Sequence, residues 1–94
     1  MYIVSYDITN DKLRRKIAKE MENYGIRVQY SVFECDLKVE KYAELYAKLI
    51  KLMGDSEEGN IRIYNLCSNC KEKTRLIGVE DIDSKDDRGD VIVV

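Results

Sequence analysis

Apolar and polar positions follow several different rhythms along this 94-residue chain. Met1–Tyr6 is mostly apolar, with Tyr2, Val4 and Tyr6 at one parity and Met1, Ile3 and Ser5 at the other. Both parities look too apolar for a half-exposed strand, which predicts a central strand covered on each side. The run stops at Asp7-Ile8-Thr9-Asn10-Asp11. Leu13, Ile17, Met21 and Tyr24 then recur at helical spacing behind three capable N-caps, Thr9, Asn10 and Asp11, with Gly25 as the stop.

Ile26–Leu37 is rich in β-branched and aromatic residues and predicts extended chain, with Val28, Tyr30 and Val32 on one face and Gln29, Ser31 and Phe33 on the other. No Gly or Pro interrupts it, so periodicity leaves open whether it forms one strand or two. A second helix is predicted over Val39–Met53, where Val39, Tyr42, Ala43, Tyr46, Leu49, Ile50 and Met53 make a wide apolar stripe ended by Gly54. A polar turn over 55–60, a strand at Asn60–Leu66, a turn at Cys67–Cys70 and a short strand at Arg75–Val79 follow. An acidic segment then leads to the apolar tetrad Val91–Val94, which could pair with a sheet edge.

This order predicts an α+β fold: a ferredoxin-like β-α-β-β-α-β sandwich with an extra C-terminal strand. Residues 1–80 are expected to form the domain. Residues 81–94 are expected to be an acidic tail whose terminal strand docks on a partner subunit. Two helices can cover one face of a small antiparallel sheet. The other face would remain too apolar for comfortable solvation, so a homodimer through the sheet is expected.

Composition narrows the chemistry. Apolar residues make up 45% and charged residues 36%, as suits one globular domain with a strongly solvated surface. No run approaches the roughly 20 apolar residues of a membrane helix. Met1 leads into a strand without a basic region and cleavage site, so no signal peptide and a cytoplasmic location are expected. Histidine is absent, which removes the commonest general base and transition-metal ligand. Any hydrolysis must rest on carboxylates, tyrosine, thiols or a hard metal ion.

The net charge of −2 is unevenly spread. Residues 1–27 hold six cations (Lys12, Arg14, Arg15, Lys16, Lys19, Arg27) against four anions, whereas residues 80–90 hold six anions against two cations. A basic patch near the start therefore coexists with an acidic tail. Three cysteines, Cys35, Cys67 and Cys70, do not make a secreted disulfide framework. Cys67 and Cys70 form a lone CxxC. A structural zinc site wants four ligands, which only two copies of this chain could supply, and reduced thiols in a turn are the default.

Asp7 is the residue best placed to carry chemistry. A carboxylate at the end of a central strand is presented at the sheet edge, where it can bind Mg²⁺, an ion that takes one or two protein carboxylates and keeps several waters. Asp7 could equally cap the first helix or pair with Arg14.

Tyr6-Asp7-Ile8-Thr9, then Leu13-Arg14, then Gly25-Ile26-Arg27-Val28-Gln29-Tyr30-Ser31-Val32-Phe33 together resemble the CRISPR-associated protein 2 family. The similarity runs from the first strand through the second helix and is looser in the last third of the chain. It implies a ferredoxin-like homodimer, with two strands drawn from Ile26–Leu37, that takes part in acquiring new spacers beside the CRISPR-associated integrase. It also implies a magnesium-dependent (or manganese-dependent) endonuclease acting on single-stranded RNA or double-stranded DNA.

In the family's pattern Asp7 stands at the metal-ligand position, and Tyr6, Arg14, Arg27 and Phe33 match positions linked to nuclease function. Lys16 stands where arginine is common, keeping the charge but losing the bidentate fork. Arg14 and Arg27 could hold phosphates, with Lys12, Arg15, Lys16 and Lys19 extending the track, although a solvated helix face has the same pattern. Phe33 and Tyr30 could stack on a base or pack in a core. Tyr6 would orient Asp7 through its hydroxyl. The alternatives to an enzyme are a non-catalytic dimeric scaffold holding prespacer DNA between integrase dimers, which the family also contains, and a plain RNA-recognition module with aromatics on its open sheet.

Overall fold

A computed structural model describes residues 1–54 and 56–78. The expected acidic tail, residues 81–94, and its terminal strand lie outside the described residues. In chain order the elements are β1 (Tyr2–Asp7), α1 (Asp11–Met21), β2 (Ile26–Gln29), β3 (Val32–Cys35), α2 (Val39–Met53), β4 (Asn60–Asn65) and α3 (Ser68–Glu72). The four strands form one antiparallel sheet in the order β2-β3-β1-β4. The fold is α+β.

Strand β1 is central because it pairs on both edges: Val4 lies opposite Phe33 of β3 and Ile63 of β4, and Tyr6 lies opposite Ile61. Directly paired residues share a face. Tyr2, Val4 and Tyr6, with Phe33, Cys35, Ile61 and Ile63, therefore all face the helices. Ile17 and Met21 of α1 and Leu45 and Leu49 of α2 meet them there in a core in which Val4, Ile17, Met21, Phe33, Cys35 and Leu45 are fully buried. The other face carries Ile3, Ser5, Asp7, Val32, Glu34, Ile26, Arg62 and Tyr64.

Ile26–Leu37 resolves into two strands joined at Tyr30–Ser31, with a register irregularity between Arg27 and Gln29. The hairpin forms without Gly or Pro because β3 is fixed by its pairing with β1. Gly25 matters at its entrance for a different reason. A Cβ there would lie 2.4 Å from the Glu34 carbonyl oxygen and 2.5 Å from Cys35 Sγ, so β2 can approach β3 only over a bare Cα.

Three expectations change. Residues 67–70 are not a plain turn, because Cys67 caps the single-turn helix α3. No strand forms at 75–78: Leu76 makes an isolated bridge, and Val79 lies outside the described residues. The apolar stripe of α2 is only partly buried. Leu45 and Leu49 enter the core, whereas Val39, Tyr46 and Ile50 are 72%, 48% and 58% exposed. One sheet and one neighbouring helix cover too little of the circumference. The side toward α1 is polar, where the Tyr24 hydroxyl donates to Glu44 and Lys48 pairs with Glu20 at 3.4 Å. Tyr42 is retained by stacking on Tyr2, with ring centroids 4.1 Å apart.

Gly25→Ala should destabilise the chain by about 1–3 kcal/mol, because the added methyl must displace backbone rather than a flexible side chain. Urea unfolding of the two proteins measures this. An unchanged midpoint would mean that β2 has room to move off β3.

Candidate metal and nucleic-acid site

Asp7 ends β1 opposite Asn60 of β4, the last pair of that ladder. The chain turns there because Ile8 is drawn into the core. Gly59 closes over it at φ +88°, where a Cβ would lie 3.0 Å from Ile8 Cγ1 and 3.1 Å from the Asp7 carbonyl oxygen.

The loop from Asp7 to helix α1 is held from both sides. The Glu58 carboxylate accepts from the backbone N–H of Thr9 (3.2 Å) and of Asn10 (3.5 Å) and from the Thr9 hydroxyl. Arg14 donates one guanidinium nitrogen to the carbonyls of Ile8 (3.2 Å) and Thr9 (3.3 Å) and the other to Asp11. Asn10 Oδ1 caps the helix by accepting from Leu13 N–H at 2.8 Å. A carboxylate on the amides and a guanidinium on the carbonyls meet most of what this irregular backbone requires. Glu58 gave no signal in the sequence: it sits in a polar loop, 49 residues from its partner Thr9.

Both simpler roles for Asp7 are thus taken by other residues, since Asn10 is the cap and Asp11 is the partner of Arg14. The Asp7 side chain is exposed and has no hydrogen bond or ion pair among the described residues. An exposed, unshared carboxylate on a braced loop is a donor suited to a hard cation that retains its waters. Among the described residues no three carboxylates, cysteines or histidines converge on one point. Among the described residues one copy thus brings no second and third ligand together with Asp7.

The other candidates do not gather around Asp7. The two-residue period of β1 sends Tyr6 to the opposite face, where its ring is buried and its hydroxyl accepts from Arg27 Nη2 at 3.5 Å. Tyr6 does not orient Asp7. Arg27 lies over the Phe33 ring, 5.3 Å from its centroid, and Tyr6 packs on the same ring at 6.3 Å. Phe33 is fully buried and presents no face to a base; it acts as the platform under Arg27. Arg27 Nε is buried without a hydrogen-bond partner among the described residues.

Arg14, Arg15 and Arg27 share a cleft of about 280 Å³ with Tyr6, Asp11 and Tyr30. Asp11 pairs with both Arg14 and Arg15, the latter at 3.1 Å, so among the described residues Arg27 is the guanidinium there without a carboxylate partner. Lys12 and Lys16 line a second, open cleft with Lys51 of α2. The basic residues of α1 consequently flank the helix as two patches rather than one track. Lys19 stands in the last turn of α1.

Residues 1–74 match the family model described as CRISPR associated protein Cas2. The chain belongs to the Cas2 family. It is 51% identical over 77 residues to a CRISPR-associated endoribonuclease Cas2 of Chloroflexus aurantiacus, covering 82% of this chain and 83% of that protein. The crystal structure of Streptococcus pyogenes Cas2 superposes with a TM-score of 0.71 at 30% identity, over 82% of this chain and 98% of that one. A chain of a partial Cas6-RT-Cas1–Cas2 complex superposes with a TM-score of 0.69 at 36% identity, over 78% and 84%.

The Glu58 clamp has a measurable pH signature. The Thr9 hydroxyl, followed by the Asn10 and Thr9 amides, holds this carboxyl below the usual carboxylate range. A folded-state value below the unfolded one (about 4.3) adds stability above that unfolded value. The contribution disappears as pH falls through the folded value. Glu58→Gln should therefore lower the Tm at pH 7, and the gap from wild type should close in acid below about pH 4. Equal gaps at both pH values would show that the charge of Glu58 is not what holds the loop.

Proposed function

We propose that this Cas2-family chain is a metal-dependent endonuclease of CRISPR adaptation, assembled as a ferredoxin-like homodimer in which each copy contributes one Asp7. The element run β1-α1-β2-β3-α2-β4 and the sheet order β2-β3-β1-β4 support the ferredoxin-like reading. The single observation that carries the enzymatic reading is the unshared carboxylate of Asp7, braced from behind by Glu58 and Arg14 and standing on the open sheet face.

That face supports the dimer. Ile3, Val32, Ile26 and Tyr64 lie on it together with Asp7, and Ile26 and Tyr64 are exposed. Apolar residues left open beside a functional acid favour a self-complementary interface. A two-fold pairing through this face brings two Asp7 side chains toward one axis. Their mutual repulsion would be relieved by a shared cation. Mg²⁺ held there would supply charge neutralisation on the phosphoryl oxygens and a more acidic bound water.

The chain's own residues divide the remaining work. Glu58 and Arg14 fix the position of the loop behind Asp7. Arg27, supported by Phe33 and Tyr6, and Lys12 and Lys16 of α1 offer phosphate contacts on the helix side of the sheet. These contacts position a nucleic acid and are sequence-independent. RNA and DNA backbones meet them equally, and the endoribonuclease name of the Chloroflexus relative favours RNA as the first substrate to test. The Cas1–Cas2 complex among the similar structures supports the CRISPR integrase as partner. It also favours the second reading, a non-catalytic scaffold that holds prespacer DNA between integrase dimers. A plain RNA-recognition module is less well supported, because Tyr64 is the one aromatic on the open face among the described residues.

Asp7→Ala separates these readings cleanly, since this exposed side chain has no bond to lose and the variant should keep the wild-type Tm. Mg²⁺-dependent cleavage of single-stranded RNA and of duplex DNA should fall by more than about 100-fold. Loss of even an outer-shell partner of a metal typically costs 10–100-fold. Spacer acquisition that survives the substitution assigns the physiological role to the scaffold. Cleavage that persists in Asp7→Ala, or in EDTA, rules out the metal site, and a monomer by light scattering rules out the shared ion.

A further inference from the structure

The cysteine pair plays no part in the nuclease or scaffold reading, yet its geometry is specific. Cys67 lies two residues past the end of β4, next to a point anchored by two backbone hydrogen bonds between Leu66 and Met1, 2.7 and 3.0 Å long. Cys70 sits inside α3, which buries no side chain. An exposed ion pair, Lys71 to Asp36 at 2.8 Å, ties that helix to the end of β3. The two sulfurs are 3.4 Å apart, both side chains are exposed, and both thiols are free. A further approach of little more than 1 Å brings them to disulfide bonding distance.

We propose that Cys67 and Cys70 are a thiol–disulfide exchange site that reacts with small-molecule disulfides of the glutathione type and closes to an intramolecular disulfide fastening α3 to the end of β4. In the first step the Cys67 thiolate attacks one sulfur of the small disulfide. A Cys67–ligand mixed disulfide forms and one small thiolate leaves. In the second step the Cys70 sulfur attacks Sγ of Cys67, breaking the mixed disulfide and releasing the second small thiolate. The two protons of the protein dithiol end on the two released thiols. The protein pair is oxidised by two electrons and the small disulfide is reduced by two.

The local chemistry gives the two sulfurs different roles. The backbone N–H of Cys70, followed by its thiol, holds the Cys67 thiol below its ordinary range, whereas hydrogen bonding to Cys67 holds Cys70 above it. That polarity favours Cys67 as the attacking sulfur and Cys70 as the resolving one. Cys35 is an internal control. It is fully buried, and burial pushes its thiol up to about 11.

The test uses the full chain, reduced and then equilibrated with excess oxidised glutathione. Intact mass should fall by two hydrogens per chain, with no glutathione retained. Alkylation after denaturation should find one thiol, at Cys35, of the original three. Cys70→Ser should instead trap a single glutathione on Cys67, and the oxidised wild type should show slower amide exchange across 68–73 than the reduced protein. Stable glutathione adducts on wild type, covalent dimers between chains, or three thiols still free in excess oxidant would each overturn the exchange site. Unchanged exchange across 68–73 would overturn the fastening of α3. Neither result bears on Asp7.

Discussion

Strand β1 hydrogen-bonds along both edges, to β3 on one side and β4 on the other, and its two-residue period divides the molecule. One parity, Tyr2, Val4 and Tyr6, is committed to the core under the helices. The other, Ile3, Ser5 and Asp7, is committed to the open face. A slip of one residue in either ladder would exchange them, burying Asp7 and exposing Val4. The double pairing makes that slip costly, because the whole apolar set of one strand would leave the core at once. Everything proposed for the acid rests on this register.

The same constraint explains why the candidate residues occupy two places. Tyr6 and Asp7 are adjacent in the chain and cannot share a face of a strand. Tyr6 joins Phe33 and Arg27 in a column of aromatic and guanidinium groups at the β2 side of the sheet. Asp7 stands behind that column, on the far side of the backbone. The phosphate contacts proposed for Arg27 and the Asp7 carboxylate are therefore separated by the thickness of the sheet within one copy. A nucleic acid that meets both would have to pass around an edge or engage two copies.

Precision at Asp7 comes from groups that never touch its side chain. An irregular loop exposes amides and carbonyls that must find partners, and here a carboxylate takes the amides while a guanidinium takes the carbonyls. Gly59 lets the start of β4 press against Ile8 without a Cβ in the way. The acid is left free for a ligand because its neighbours, Asn10 and Asp11, absorb the capping and pairing that it would otherwise do.

Local pattern alone determined much of this protein. The apolar run of Met1–Tyr6, the helical spacing of Leu13, Ile17, Met21 and Tyr24, and the position of Asp7 at a strand end were legible because each depends on residues close together in the chain. The motif from Tyr6 to Phe33 was enough to mark the family. Tertiary structure decided the remainder. It split Ile26–Leu37 into two strands, chose which parity of β1 faces the helices, and placed Tyr6 with Arg27 rather than with Asp7. It also left Val39, Tyr46 and Ile50 of α2 outside the core and brought Glu58 to the loop before α1. Each of these outcomes turns on which distant segments meet, and periodicity reports the faces of an element without saying what will cover them.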